Sequence, residues 1–436
     1  MVDYGIHIEN SPDPESATIR LENLLKDNYI RRHLDKMSDI NLQTFINLIS
    51  YSNFIYRYFC RHPDSITLLG NSYAMDRNRL ESISSIDKLR SFKYEELLKI
   101  TWLDLLGNFS YKVILDRLSI LADSLILKVM RMVSIGKKYP AYRNLQIPFC
   151  IFAMGKLGAN ELNYSSDIDL IFVCMDSDEF DGDVQAYLEG VIDHIRQFNK
   201  VMQEATDDGF LYRVDLKLRP WGRSGPLVLS VDETEHYYEA STEAWERFAW
   251  LRARIVGGDI RLGEDLLQRL QPFIYLRSLS SDDLHRFIQI KNDMGKNREK
   301  AGSWNVKLGE GGIRDIEFFI QMLQIVNAQS HTVLKSQNTL TVLGHLVKLG
   351  FLSIDEGENI NNSYLFLRRL ENRLQMFDEQ QTHQLPLEHA QRKKIACSLG
   401  YGSVYHENTL EIFEQHLDRH RKTAASCFDR VLPGES

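Results

Sequence analysis

Met154-Gly155-Lys156-Leu157-Gly158-Ala159-Asn160-Glu161-Leu162-Asn163-Tyr164-Ser165-Ser166-Asp167-Ile168-Asp169-Leu170-Ile171-Phe172 is the stretch that decides the fold. A Gly-Lys turn leads into a short polar helix, and Ser165-Ser166-Asp167-Ile168-Asp169 then opens an apolar run. Carboxylates at i and i+2 on a strand point to the same face. That spacing suits a site that holds a divalent cation over a nucleotide phosphate, because hard cations take oxygen ligands and keep some water.

Working outward, residues 147–154 form a continuous apolar run that ends at a glycine, the pattern of a buried strand. Residues 168–175 predict a second strand. Residues 183–206 carry a helical stripe of Val184, Tyr187, Leu188, Val191, Ile195, Phe198 and Met202. A third strand is expected over 210–218, a fourth over 227–231 after Gly225-Pro226, and a helix over 237–255. This alternation predicts a small mixed sheet flanked by helices. Upstream, residues 14–135 read as helical, with a break at Arg61-His62-Pro63-Asp64. Ile135-Gly136-Lys137-Lys138-Tyr139-Pro140 reads as a solvated connection. Downstream of about residue 280 the helical pattern returns, with a Gly309-Glu310-Gly311-Gly312 turn before a helix bearing Ile313, Ile316, Phe319, Ile320 and Leu323. Further helices are expected around Leu367, Leu370, Leu374 and Phe377, and from Glu411 to Val431. The expected fold class is α+β, in three regions: N-terminal helices (1–135), a sheet-containing catalytic domain (136–330) and a C-terminal helical bundle (331–436).

From Tyr212 the segment Tyr212-Arg213-Val214-Asp215-Leu216-Lys217-Leu218-Arg219 alternates strictly. Tyr212, Val214, Leu216 and Leu218 fall on one face and Arg213, Asp215, Lys217 and Arg219 on the other. By itself this is an edge strand with a solvated face. Beside the D-x-D motif, Asp215 becomes the third carboxylate of a metal site. Three carboxylates can hold two ions, which stabilise the attacking and leaving oxygens of a displacement at phosphorus. Arg213, Lys217, Arg219 and Arg223 are then candidate phosphate ligands. Gly155 and Lys156, which follow a strand and begin a helix, are candidates too, with Ser165 and Ser166. The P-loop spacing itself is absent.

Of the 436 residues, 43% are hydrophobic and 26% charged, an ordinary globular balance that leaves room for about two to four domains. The formal charge is −8. A dedicated nucleic-acid binder would usually be basic, so a small anion or a protein is the expected partner, with no nucleic acid and no membrane. The five cysteines form no C-x-x-C pair, and the sequence offers neither a signal pattern nor an apolar run of spanning length. A cytoplasmic location is expected. His416 and His420 have i, i+4 spacing, but without a third ligand they are expected to be a surface pair. Trp245, Phe248 and Trp250 are expected in the core.

The motifs taken together resemble one family. A Gly turn, a short helix, D-x-D on a strand and a later third Asp are similar to the nucleotidyltransferase superfamily with the polymerase-β-like fold. Gly155-Lys156-Leu157-Gly158, Asn163-Tyr164-Ser165-Ser166-Asp167-Ile168-Asp169-Leu170, Arg213-Val214-Asp215, Leu218-Arg219-Pro220, Ser224-Gly225-Pro226-Leu227-Val228 and Trp245-Glu246-Arg247 resemble the glutamine synthetase adenylyltransferase/adenylyl-removing enzymes. So do the run from Lys307 to Phe318 and Leu370-Glu371-Asn372-Arg373-Leu374-Gln375. The resemblance covers about residues 40–430, and its variants look like the N-terminal, adenylyl-removing half of a two-headed enzyme.

What this resemblance implies is phosphorolysis. Inorganic phosphate attacks the AMP phosphorus on an adenylylated tyrosine and releases ADP. Asp167, Asp169 and Asp215 map onto the metal carboxylates, with Mg²⁺ as the ion and Mn²⁺ as its alternative. The implied partners are adenylylated glutamine synthetase and the uridylylated PII signalling protein, with glutamine as an effector. Lys156 departs from the Ser that many superfamily members carry after the motif Gly. Arg314, Asp315 and Glu317 either border the site or pair within a helix–sheet interface. Two other readings stay open: adenylyl transfer from ATP to glutamine synthetase or another acceptor, and a non-catalytic nucleotide-sensing module.

Overall fold

The computed structural model describes residues 3–70, 73–107, 109–133, 149–179, 183–206, 209–240, 244–276 and 303–430. The connection read at 135–140 and the onset of the C-terminal helices before residue 303 lie outside them. At the centre stands a mixed five-stranded sheet of β1 (Phe149–Ala153), β2 (Ile168–Cys174), β3 (Val214–Asp215), β4 (Leu229–Ser230) and β5 (Arg254–Gly258). β1 pairs antiparallel with β2 and with β5, while β3 and β4 both run parallel to β2. Helices surround the sheet on the N-terminal and C-terminal sides of the sequence, so the fold is α+β.

β1 is buried at every position, as its unbroken apolar run requires, and β2 is buried at every position except Asp169. The Val184–Gln203 helix buries Tyr187, Val191, Ile195, Phe198 and Met202. The Ile86–Leu106 and Tyr111–Met132 helices pack on each other, and the second also packs on the Val184–Gln203 helix and β5. Their starts follow local chemistry: Ser85 and Asp183 accept the N–H three residues on, satisfying one orphan donor of the first turn. Among the described residues no helix is long and apolar enough to cross a membrane.

Three expectations are corrected here. The third strand is two residues long, not nine. Beyond Asp215 the chain turns, because the Asp215 carboxylate captures the Lys217 N–H at 2.9 Å and the Leu216 carbonyl accepts the Arg219 N–H at 3.3 Å. The fourth strand stops at Ser230, where the Val231–Ala240 helix begins. The helix expected over 237–255 is in fact two helices, Val231–Ala240 and Ala244–Trp250, followed by β5. β5 escaped because it is short, opens on a charged residue and ends in two glycines, all of which mask a strand pattern.

The Ile354–Met376 helix organises the C-terminal region. It opens with a full capping box between Ser353 and Glu356. Its second half is unusual: Arg368, Glu371, Asn372, Arg373 and Gln375 are all buried. Such groups are retained only if hydrogen-bonded, and here Arg368, Asn372 and Gln375 find partners on the loop that carries the D-x-D motif, Glu371 meets Lys156, and Arg373 meets Asp104. The helix also reaches the N-terminal region, where Tyr51 and Ser52 hydroxyls donate to the carbonyls of Arg373 and Met376.

Candidate active site

β3 brings Asp215 beside the D-x-D strand: Asp169 and Asp215 are partners in the parallel ladder, with Ile168 opposite Val214. Neighbouring strands run about 4.8 Å apart, so two carboxylates are held side by side. Gly155 stands over them with φ +56°, and a Cβ built there would lie 2.7 Å from Asp169 Oδ2. Only glycine permits both that backbone conformation and that approach. Gly155→Ala is expected to displace Asp169 and cut turnover roughly 10²-fold, the scale of a small misplacement of reacting groups. A steady-state assay checks this, and unchanged turnover would separate Gly155 from the site.

The single helical turn after Gly155 is clamped by close contact. A Cβ at Gly158 would fall 1.8 Å from the Arg252 carbonyl. Arg254 on β5 donates to the carbonyls of Leu157 and Gly158 and pairs with Asp123 at 2.9 Å. The strand that the sequence reading missed therefore positions the Gly155 turn.

The loop from Glu161 to Ser166 is held from the Ile354–Met376 helix. Arg368 donates to the Glu161 carbonyl and to Asn163, Asn372 accepts the Tyr164 N–H at 3.3 Å, and Gln375 accepts the Ser165 N–H at 3.1 Å. Arg373 makes a two-pronged pair with Asp104, which also accepts the Tyr164 hydroxyl. Glu161 in turn accepts from the N–H of Thr339 at 2.8 Å and the hydroxyl of Tyr364 at 2.7 Å. Placement of a site by a buried hydrogen-bond network is what preorganisation requires.

Asp169 is the electrostatic centre. Burial and then the neighbouring Asp215 push its carboxyl up to about 7; Lys307 opposes the shift and Asp167 adds to it. Among the described residues its carboxylate has no hydrogen-bond partner. Asp167 faces Arg213 at 2.5 Å and Asp215 faces Lys217 at 2.5 Å. Among the described residues no three His, Cys, Asp or Glu side chains converge closely enough to hold a metal ion as they stand. The donor set is nonetheless the hard, all-oxygen kind that a divalent cation takes, with uncompensated negative charge at Asp169.

The remaining candidates divide. Lys156 turns away from the carboxylates to Glu371, at 2.7 and 2.8 Å. His383 meets the same carboxylate at 2.8 Å, and Arg368 lies 3.4 Å from it. Against the burial that raises it, the Lys156 and Arg368 charges and the hydrogen bond from His383 hold Glu371 well below the usual carboxylate range. Ser165 donates its hydroxyl to the Glu379 carbonyl, and Ser166 accepts the Asn163 N–H, so both hydroxyls brace the loop. Arg219 spends its guanidinium on the carbonyls of Leu216, Arg223, Gly225 and Pro226 and shapes the loop after β3. Arg223 is exposed on that loop. Arg213, besides Asp167, donates to the Ser165 carbonyl at 2.8 Å.

Of the two readings of Arg314, Asp315 and Glu317, the interface reading fits their contacts: buried Glu317 pairs with Arg252 at 3.1 Å and Arg314 at 3.3 Å, and Asp315 accepts the Gly311 N–H. The histidine pair is packed rather than superficial. His416 meets the Tyr401 hydroxyl, and His420 meets Ser363 and stacks on Phe366. Phe248 and Trp250 are in the core, and Trp245 is half-buried.

Sequence reasoning missed Glu371, which anchors Lys156 next to the motif glycine. It lies in a stretch quoted for the resemblance, yet no role was given to it. The signal was the density of polar residues on every face of 368–375, which no exposed stripe accounts for.

Comparison with known proteins identifies the family. The sequence model of the glutamate-ammonia ligase adenylyltransferase family matches residues 42–269, more than half of the chain. That of the GlnD PII-uridylyltransferase family matches residues 286–432. Relatives named bifunctional glutamine synthetase adenylyltransferase/adenylyl-removing enzyme include one from Nitrosococcus oceani, 35% identical over 79% of this chain and 36% of the relative. Another, from Methylococcus capsulatus, is 35% identical over 82% of this chain and 37% of the relative. One from Stenotrophomonas maltophilia is 41% identical over 58% of this chain and 27% of the relative. The chain thus spans about a third of the length of the curated relatives it matches. With the D-x-D strand, its partner Asp215 and the Gly155 turn assembled at one point, the chain belongs to the glutamate-ammonia ligase adenylyltransferase family.

Proposed function

We propose that this chain removes AMP from adenylylated glutamine synthetase by phosphorolysis. The observation that carries the reading is the registered Asp169–Asp215 pair under Gly155 in a member of this family. The motif variants favour the adenylyl-removing head, because they resemble the N-terminal half of the two-headed enzymes. Orthophosphate attacks the AMP phosphorus, the bond to the tyrosyl oxygen breaks, that oxygen takes up a proton, and ADP leaves.

Asp169 and Asp215, joined by Asp167, would hold Mg²⁺ or Mn²⁺, which supplies charge neutralisation at the phosphoryl oxygens. The protein's own share is placement: Gly155 lets the phosphate approach the backbone, and Arg213 and Lys217 balance the carboxylates until substrate enters. No covalent nucleophile is needed, since such transfers depend on positioning and charge stabilisation. The uridylylated PII protein and glutamine are the proposed regulators, on the strength of the family resemblance.

The family name favours a second reading, adenylyl transfer from ATP to glutamine synthetase by the same carboxylates. Products separate the two. Phosphorolysis consumes orthophosphate and yields ADP, whereas transfer consumes ATP and yields pyrophosphate. Chromatography of reactions with each donor, with and without uridylylated PII, decides. Pyrophosphate from ATP with no phosphate-dependent ADP would overturn the proposal.

A further inference from the structure

Lys307 lies on the turn before the Ile313–Asn327 helix, and its backbone is fixed on both sides. Its N–H and that of Leu308 donate to the Asn305 side chain at 3.0 and 2.9 Å. Its carbonyl accepts the Arg314 N–H at 3.0 Å, and the adjacent Val306 N–H donates to the His383 carbonyl at 2.8 Å. The turn is thereby pinned against the segment whose His383 side chain meets Glu371. The side chain is half-buried, and Glu371, Arg314, Glu317 and Asp169 all act on its charge.

Its neighbours among the cations are engaged: Lys156 with Glu371, Arg213 with Asp167, Lys217 with Asp215, and Arg314 with Glu317. Lys307 differs. Among the described residues its ammonium has no hydrogen-bond or ion-pair partner, and the two glutamates near it already serve other cations. A partly buried ammonium without a direct hydrogen-bond or ion-pair partner is costly to keep. A rigid turn that carries one, bonded to the segment whose His383 meets Glu371 and so Lys156 next to the motif glycine, has the form of a site completed by a ligand. A lysine ammonium serves phosphate as a point charge.

We propose that Lys307 is a phosphate-binding residue of the active site, contacting a phosphate oxygen of the bound small ligand on the Asp169 side. The assignment rests on the functional reading above. Two sources share that chemistry, the incoming orthophosphate and the phosphate of the nucleotide.

The test uses the full chain and its Lys307→Met and Lys307→Arg variants. It measures ADP release from adenylylated glutamine synthetase against orthophosphate concentration with uridylylated PII present, and ADP binding by calorimetry. Lys307→Met is expected to raise half-saturating orthophosphate at least about tenfold, or to weaken ADP binding by a similar factor, with no loss of melting temperature. Lys307→Arg should recover part of the effect, because the charge is kept. A shift in orthophosphate saturation alone identifies the attacking phosphate, and a shift in ADP affinity alone identifies the nucleotide. Phosphate-dependent ADP release with both quantities unchanged in Lys307→Met overturns the proposal. Absence of that release in the unsubstituted chain overturns the functional reading instead, and ADP affinity then decides on Lys307 alone.

Discussion

Asp169→Asn is expected to lower turnover by about 10³-fold or more while making the chain more stable at pH 8. The two effects have one cause. In the folded chain burial and Asp215 hold the Asp169 carboxyl at about 7, far above an ordinary aspartate. Between the ordinary value and 7 the folded state therefore binds a proton that the unfolded state has released. Stability contributed by this group is present in acid and is lost as pH rises through that window. At pH 8 the ionised carboxylate costs on the order of 2–4 kcal/mol, and the amide removes the cost. Thermal unfolding in a chelating buffer should show the variant melting above the parent at pH 8 and level with it near pH 4. Mg²⁺ should raise the parent's melting temperature at pH 8 and leave the variant's unchanged. A variant less stable than the parent at pH 8 would mean that Asp169 is neutralised by a protein group, and the metal assignment would fall with it.

Glu371→Ala is expected to destabilise the chain by about 3–5 kcal/mol, the penalty for leaving buried charge unpaired. The carboxylate is fully buried and meets Lys156, His383 and Arg368 at 2.7, 2.8 and 3.4 Å. Removing it strands two cations. Urea midpoints give the loss, and Glu371→Gln, which keeps the shape, should recover only a minor part. Because the folded-state carboxyl lies well below the usual range, its contribution is in place above about pH 4.5 and fades only as pH falls toward the folded value. Burial lowers the Lys156 ammonium to about 7 and Glu371 opposes that shift, so the parent–variant difference should shrink as pH rises through 7 and Lys156 loses its charge in both chains. Turnover in Glu371→Ala should fall as well, since Lys156 and the loop from Glu161 to Ser166 lose their anchor. Wild-type stability in this variant would mean that the Ile354–Met376 helix does not hold the site.

Where the structure is local, the sequence was sufficient. Asp167 and Asp169 announce themselves by spacing, β1 and β2 by unbroken apolar runs, and the Gly155 turn by its place between strand and helix. Asp215 was legible only through its context, and its register opposite Asp169 bears that placing out. What stayed hidden depends on contacts between residues distant in sequence. Arg213, Lys217 and Arg219 share a face on paper, yet the Asx turn at Asp215 sends them to three tasks: pairing with Asp167, pairing with Asp215 and shaping a loop. Lys156 sits next to the motif glycine but is claimed by Glu371, 215 residues away. No periodicity encodes such a pair. β5 was lost because a five-residue strand ending in two glycines carries less pattern than the helices before it.

The most direct test of the central claim follows the phosphorus. The chain is incubated with adenylylated glutamine synthetase, Mg²⁺ and radiolabelled orthophosphate, with uridylylated PII present, and the nucleotide products are separated and degraded stepwise. Phosphorolysis places the label in the β-phosphate of ADP, in an amount equal to the AMP lost from the enzyme, and Asp169→Asn abolishes it. AMP as the product, or ADP without label, would contradict attack by orthophosphate at the Asp169–Asp215 site.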